Sequence, residues 1–196
     1  MPAEPDPSDP LSLRRPHLSD QVGAIVEILE RSAPSGSRAV VLIDGRSGSG
    51  KSTLATLLAP RLGAELVRLD DVYPGWSGLA EASRMVVDDI LLGGQWTGWD
   101  WTNDRPADRH IVDLSAPLII DGCGSISRRS SGLVTSSIWV ELDAASRRRN
   151  ALLRDGAAFE PFWDMWALQE EELIRREDPR HRAQVVVRGS DFSLIR

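Results

Sequence analysis

The sequence predicts an α/β fold. Short apolar runs rich in β-branched residues alternate with helical stretches, and the clearest runs cover residues 40–43, 116–121 and 137–142. Continuous apolar runs of this kind are typical of strands buried on both faces of a sheet. With 196 residues and a mass of 21.6 kDa, the chain has the length of one domain of this class.

The N-terminal end of the chain differs in composition from the rest. Residues 1–16 contain five prolines among polar and acidic residues, too little apolar surface to offset the entropy lost on ordering. We therefore expect a disordered tail over residues 1–16 and a single domain over residues 17–196. Helices are expected at 18–31, 52–58, 79–92 and 144–155, and another amphipathic helix follows Trp163 and Trp166 and runs through Arg176. Further strands are expected at 65–69 and 184–187.

The glycine-rich stretch after the first strand matches the pattern Gly-x-x-x-x-Gly-Lys-Ser of a phosphate-binding loop. Glycines let consecutive amides turn inward around an anion, and the following helix adds its positive end. Lys51, the only lysine in the sequence, is expected to reach the β- and γ-phosphates of a nucleoside triphosphate. The predicted nucleotide-binding residues are Gly45, Arg46, Ser47, Gly48, Ser49, Gly50, Lys51, Ser52 and Thr53.

Two acidic positions are expected near this loop, because strand carboxyl ends line the ligand crevice of open parallel sheets. Asp70 and Asp71 follow the second strand, and one of them is a candidate base for an attacking hydroxyl. A turn in which an aspartate caps the next segment is the alternative. Asp121 ends the third strand and, with the Ser52 hydroxyl, is expected to hold Mg²⁺.

Three tryptophans fall in the stretch 93–102, which reads as a polar loop containing glycine. Trp99 and Trp101 could stack on a substrate, with Asp100 as acceptor for its hydroxyls, or could fix the loop to the core. Arg105 and Arg109 could hold an anionic group or face solvent. The arginine-rich helix at 144–155 could be a lid over the phosphates or a solvated surface.

Composition excludes several functional classes. A net charge of −6 argues against nucleic acid as a partner, because binding to phosphate backbones needs a basic face. The sequence has no apolar run long enough for a bilayer and no signal-peptide layout, so we expect a cytoplasmic protein that does not bind membranes. Its one cysteine, Cys123, excludes an internal disulfide and a cysteine-based zinc cluster.

Together, the phosphate loop, the Asp70-Asp71-Val-Tyr element, the Trp99-Asp100-Trp101 segment, Ile-Asp121-Gly and the arginine-rich helix resemble the uridine kinase-like branch of P-loop kinases. The resemblance covers residues 38–189. It implies a P-loop NTPase sandwich of three layers, with a five-stranded parallel sheet of order 2-3-1-4-5, helices on both faces and a small arginine-rich lid.

The resemblance also implies roles for single residues. It places the base at Asp70 with Tyr73 in register at the substrate, while Asp71 stays a candidate because Val72 replaces the family's aromatic residue. It places the lid arginines at Arg149 and Arg154.

The expected function is transfer of the γ-phosphoryl group of ATP, with Mg²⁺, to a hydroxyl of a small nucleoside-like or polyhydroxy metabolite. Trp99, Asp100, Trp101 and Arg105 are the remaining expected substrate contacts, in a monomer or homodimer. A nucleoside monophosphate kinase, which would use Arg105 and Arg109, and a nucleotide-binding regulator without an acceptor are the alternatives.

Overall fold

The computed structural model describes residues 14–33 and 36–196. Five parallel strands form the main sheet in the order β2-β5-β1-β6-β7. These strands are β1 (Val40–Asp44), β2 (Glu65–Arg68), β5 (Leu118–Asp121), β6 (Ser136–Glu141) and β7 (Val185–Arg188). Counted along this sheet alone, the strands follow the predicted order 2-3-1-4-5, and the α/β class is confirmed. The remaining two strands, β3 (Gln95–Asp100) and β4 (Arg105–Ile111), form a separate antiparallel pair.

The described residues contain six α-helices. They are α1 (Arg14–Ser32), α2 (Lys51–Leu62), α3 (Leu79–Met85), α4 (Ala144–Asp155), α5 (Trp163–Glu177) and α6 (Pro179–Arg182). The helix expected at 79–92 changes character half-way, because α3 continues into a π-helical segment, Val86–Leu92. The helix α2 contains Pro60 and ends at Gly63, whose φ of 57° gives the left-handed C-terminal turn that glycine favours.

The core has two layers, one on each face of the sheet. Val41 and Ile43 of β1 pack with α1 and α2, whereas Val40 and Leu42 pack on the opposite face with α3 and α5. This alternation follows from the two-residue period of a strand, and it explains why β1 is apolar throughout. The predicted arrangement of three layers is therefore present.

The structure differs from the sequence-based expectations at the start of α1 and in the stretch around the tryptophans. Residues 1–13 of the predicted tail lie outside the described residues, but α1 already begins at Arg14, four residues before the predicted helix. The stretch read as a loop around the tryptophans is strand β3, paired with β4 in a hairpin. This element was missed because a register shift between Thr97 and Trp99 and the strand glycine Gly98 interrupt its alternation.

The sheet brings the ends of three strands to one edge. Ile43 of β1 and Arg68 of β2 both lie in register with Asp121 of β5, so the loops that follow these strands leave the sheet side by side.

No helix in the described ranges is both long enough and apolar enough to cross a membrane.

Candidate active site

The loop from Gly45 to Gly50 joins β1 to α2 in a conformation that depends on glycine. Gly45, Gly48 and Gly50 have φ values of 151°, 76° and 101°, which other residues rarely adopt. Close packing adds a second constraint, because a Cβ at Gly48 would collide with the carbonyl of Arg147 on α4. The loop therefore turns its backbone toward the start of α2, as an anion-binding loop must.

Lys51 lies at the first position of α2, and its side chain folds back over the loop. Its ammonium donates to the carbonyl oxygen of Arg46 at 3.3 Å. Burial disfavours the charged amine, but nearby acidic groups, among them Asp121, Asp70 and Glu170, outweigh this effect and raise the pKa of Lys51. Lys51 is therefore a buried permanent cation at the centre of the loop, suited to bind phosphate.

Asp121 and Ser52 lie together beside Lys51. Burial raises the pKa of Asp121, and the Lys51 ammonium and the Ser52 hydroxyl oppose that rise. The Oδ1 atom of Asp121 is buried and has no hydrogen-bond partner among the described residues. A buried carboxylate oxygen without a partner, next to a hydroxyl and a phosphate loop, fits a magnesium ligand or the acceptor of a magnesium-bound water.

Asp70 and Asp71 lie in a short 3₁₀ turn directly after β2. An indole N–H, that of Trp101, donates to the backbone oxygen of Asp70 at 2.8 Å, and the Asp70 carboxylate lies 3.6 Å from Nη1 of Arg154. Asp155 also pairs with Arg154, at 2.7 Å. Asp70 is thus fixed through its backbone while its carboxylate faces the space between β2 and α4.

Next to Asp70 is a cavity of about 440 Å³, and five of its ten lining residues are aromatic. Trp76 is its central ring, stacked on Phe162 with centroids 4.3 Å apart and tilted against Trp101 at 4.9 Å. The Tyr73 ring meets Trp166 edge-on at 4.8 Å. The lining residues are Ser47, Asp70, Tyr73, Trp76, Trp101, Arg154, Asp155, Ala158, Phe159 and Trp166.

Two further spaces border the phosphate loop. A cavity of about 280 Å³ lies between the loop and α4, and an open groove of about 590 Å³ runs along the outer side of α2. The first is lined by Gly48, Gly50, Lys51, Ser52, Thr53, Asn150, Ala151 and Arg154. The groove is lined by Ser52, Thr53, Thr56, Leu57, Arg68, Asp70, Asp71, Arg154 and Asp155. Asp70 lines both the groove and the aromatic cavity, and so joins the phosphate side to the aromatic side.

The chain is similar in fold to solved structures of kinases. No protein-family model matches the chain. Among solved structures, a "Possible Uridine Kinase" from Bacillus stearothermophilus superposes with a TM-score of 0.60 at 19% identity, covering 86% of this chain and 98% of that one. A protein assigned as a fructose transport system kinase, from Silicibacter sp. TM1040, gives a TM-score of 0.53 at 18% identity, covering 83% and 92%. The chain has the fold of the P-loop kinases.

A curated protein is also similar to this chain in sequence. The tRNA dimethylallyltransferase of Chlorobium phaeobacteroides (strain BS1) is 31% identical over 172 residues, which cover 81% of this chain and 52% of that protein. The chain thus spans about half the length of this curated relative.

Within the P-loop kinase fold, the hairpin contributes less to the cavity than the sequence suggested. Trp101 lines the cavity, but Asp100 accepts hydrogen bonds from the backbone of Thr102 and Asn103 and from the Asn103 side chain. Trp99 packs near Gly75, and the exposed Arg105 lies 3.7 Å from Asp100. Trp99, Asp100 and Arg105 are therefore not among the residues that line the cavity, because Trp99 packs at Gly75, Asp100 closes the turn and the Arg105 side chain is exposed.

The lid prediction is corrected at one position. Arg149 is exposed and donates to Ser146, whereas Arg147 is buried and donates to the carbonyl oxygens of Leu142 and Ser47. Asn150 and Arg154 lie on the same face of α4 as Arg147, which is the face toward the phosphate loop. A helix turns by about 100° per residue, so Arg149 cannot share the face of Arg147 and Arg154.

The sequence prediction missed three groups of residues at this site. Trp76, Phe159 and Trp166 are three of the five aromatic residues that line the cavity, Asp155 pairs with Arg154, and Glu170 binds the phosphate loop. One signal was visible: Trp166, Glu170 and Leu173 follow a helical spacing on α5, which places a glutamate inside an apolar stripe. Arg46, predicted at the nucleotide, instead pairs with Glu170 and Glu171.

Proposed function

We propose that this protein is an ATP-dependent phosphotransferase that phosphorylates a hydroxyl of a small metabolite. The observation that carries the proposal is the position of Asp70, which lines both the groove beside Ser52 and Thr53 and the aromatic cavity. A base that transfers a proton during phosphoryl transfer must reach the acceptor hydroxyl while the donor phosphate lies in the loop. Asp70 occupies such a position, and the P-loop kinase fold supports it.

The roles follow from the contacts. Backbone amides of the loop and the Lys51 ammonium would bind the donor phosphates, and Asp70 would accept the proton of the acceptor hydroxyl. The Arg154 guanidinium, which lines all three spaces, would leave Asp70 and Asp155 to neutralise charge on the transferred group. Ser52 and Asp121 fit Mg²⁺, which in such sites supplies charge neutralisation at the phosphate oxygens.

The acceptor we propose is a neutral molecule with a flat apolar part and at least one hydroxyl. Among the described residues that line the aromatic cavity, Arg154 is the one basic side chain, and it is already paired with two carboxylates. A phosphorylated acceptor would meet Asp70 and Asp155 without a dedicated cation. This arrangement favours an alcohol acceptor over the nucleoside monophosphate that was the alternative.

The experiment is a panel of nucleosides, sugars and aromatic alcohols incubated with Mg·ATP, with Lys51→Ala as the inactive control. We expect one compound to accept phosphate much faster than water does. Weak hydrolysis with no acceptor in the panel would favour the regulator, and no nucleotide binding at all would end the proposal.

A second candidate is a transferase of dimethylallyl groups. Identity of 31% to a tRNA dimethylallyltransferase favours it, and a phosphate loop beside an apolar cavity could also hold an isoprenoid diphosphate. Dimethylallyl diphosphate and Mg·ATP offered separately distinguish the two. Tighter binding of the isoprenoid diphosphate, abolished by Trp76→Ala, would favour this candidate over the kinase.

A further inference from the structure

Glu170 of α5 is a buried carboxylate bound to the phosphate loop, and only 3% of the residue is exposed. Its Oε1 accepts from the backbone N–H of Ser47 at 2.7 Å and from the Cys123 thiol at 3.3 Å. Its Oε2 accepts from Nε of Arg46 at 2.9 Å. Both oxygens are therefore satisfied, and two of their three partners belong to the loop.

The carboxyl group is held in its charged form. Although burial opposes ionisation, the hydrogen bonds from Arg46 and Ser47 and the charge of Lys51 hold the pKa of Glu170 below its ordinary value. A negative charge beside a loop that binds anions would weaken phosphate binding unless it contributed in another way. The geometry shows that contribution, since the charge fixes the direction of a loop amide.

We infer that Glu170 is a positioning residue that holds the first half of the phosphate loop in its binding conformation. The Ser49 amide donates to the carbonyl oxygen of Arg46 at 3.1 Å. With the Ser47 amide and the Arg46 side chain attached to α5, the amides of Gly48 and of residues 50–52 stay available to the anion without reorganisation when nucleotide binds. The inference rests on the proposed function, because it assumes that the loop binds a nucleotide phosphate.

Helix α5 also connects Glu170, at the phosphate loop, to the proposed acceptor cavity. Trp166 lies four residues before Glu170, one turn along the same face of α5, and forms part of the cavity wall. A second route joins them, since the Tyr73 hydroxyl donates to the carbonyl oxygen of Cys123 at 3.0 Å and the Cys123 thiol contacts Glu170. One helix thus places both the loop and an acceptor-binding ring.

The test compares Glu170→Gln and Glu170→Ala with Glu171→Gln as matched control. Glu171 is the neighbouring carboxylate, with a side chain 61% exposed, and it pairs with the same Arg46 at 3.3 Å, but no hydrogen bond joins it to the Ser47 amide. Calorimetry with Mg·ADP gives the dissociation constant. Amide hydrogen exchange at Ser47 reports the loop directly, and the melting temperature reports the fold.

We expect the dissociation constant to rise about tenfold in Glu170→Gln, since a hydrogen bond to a charged group is lost, and further in Glu170→Ala. Glu171→Gln should stay within about twofold, as is usual for an exposed pair. Glutamine keeps one acceptor for Ser47, so it should rescue part of the affinity and of the exchange protection that alanine loses.

Two results would overturn the inference: affinity of folded Glu170→Gln equal to that of the control, or Ser47 exchange unchanged in Glu170→Gln. Should Glu170→Ala not fold, the glutamine variant alone decides. If the wild-type protein binds no Mg·ADP, the proposed function fails. The amide exchange of Ser47 then still tests whether Glu170 holds the first half of the loop.

Discussion

Among single residues, Asp70 and Asp71 differ in what they can reach. Asp70 borders both the aromatic cavity and the groove, whereas Asp71 lines the groove alone among the described cavities. Burial and the charge of Asp70 raise the pKa of Asp71. This difference in position is the reason for proposing Asp70 as the base.

We expect Asp70→Asn to lower the rate of phosphate transfer about 10²–10⁴-fold, because an amide cannot accept the hydroxyl proton. The affinity for Mg·ATP should change little. Asp71→Asn is the matched control and should have a much smaller effect on the rate. Steady-state kinetics with the acceptor found in the panel measure both, and a reversed order would make Asp71 the base.

Asp44 is a second buried carboxylate, with a structural role. Its oxygens accept from the backbone N–H groups of Gly45, Gly124 and Ile126 and so join the end of β1 to the loop after β5. Burial raises the pKa of Asp44 to about 7, although the three N–H donors favour the anion. The folded protein therefore binds this proton more tightly than the unfolded chain does.

This shift predicts a pH dependence of stability. The folded-state pKa lies above the unfolded value of 3.8, so the stabilisation linked to Asp44 is fully present below about pH 4 and is lost as the pH rises through about 7. Relative to Asp44→Asn, the wild-type protein should lose up to about 1.4 kcal/mol per pH unit in this window.

Urea unfolding between pH 4 and pH 8 measures that difference. Asp113→Asn is the control: hydrogen bonds from Ser115 lower the pKa of Asp113, so its contribution is lost only below about pH 4 and its difference from wild type should stay constant over this range. A constant difference between wild type and Asp44→Asn would mean that Asp44 stays ionised when folded.

At the level of elements, α4 is attached to the phosphate loop through one face. Arg147 and Asn150 donate to carbonyl oxygens of the loop, and Gly48 permits the close approach. The arginines that carried the lid prediction therefore divide into a face that touches the loop and a face in solvent.

Arg147→Ala should lower the free energy of unfolding by about 1–3 kcal/mol, since it leaves buried carbonyl groups without donors. Mg·ADP should also bind more weakly. Arg149→Ala should stay within about 0.5 kcal/mol of wild type, as is usual for surface positions. Urea denaturation and calorimetry compare the two, and equal effects would place Arg149 at the loop after all.

The β3–β4 hairpin presents Trp101 to the cavity and uses the preceding residue, Asp100, to close its turn. We expect Trp101→Ala to raise the KM of the acceptor about tenfold, from lost stacking, without changing Mg·ATP affinity. Asp100→Ala should leave that KM unchanged and speed amide exchange at Thr102 and Asn103, whose N–H groups it accepts. A larger KM effect for Asp100→Ala would restore its predicted contact with substrate.

For the whole molecule, local patterns predicted the fold well and the cavity poorly. The phosphate loop was predicted from a short motif, the strands from continuous apolar runs, and the strand order from the resemblance to P-loop kinases. Asp121 lies at the end of its strand, where the sequence put it. The cavity wall combines Trp76, Trp101 and Trp166 from three distant segments. No local pattern indicates that these rings meet, because tertiary packing alone joins them.

That convergence of rings also has an optical consequence. Three of the seven tryptophans line the proposed acceptor cavity, while no tryptophan is among the described residues that line the cavity between the loop and α4. Indole emission responds to the polarity and contacts around the ring, so an acceptor that displaces water there should shift or quench the protein's own fluorescence. ADP should change it far less. The protein thus carries its own reporter, and a library of unlabelled metabolites could be screened by titration before any phosphate is transferred.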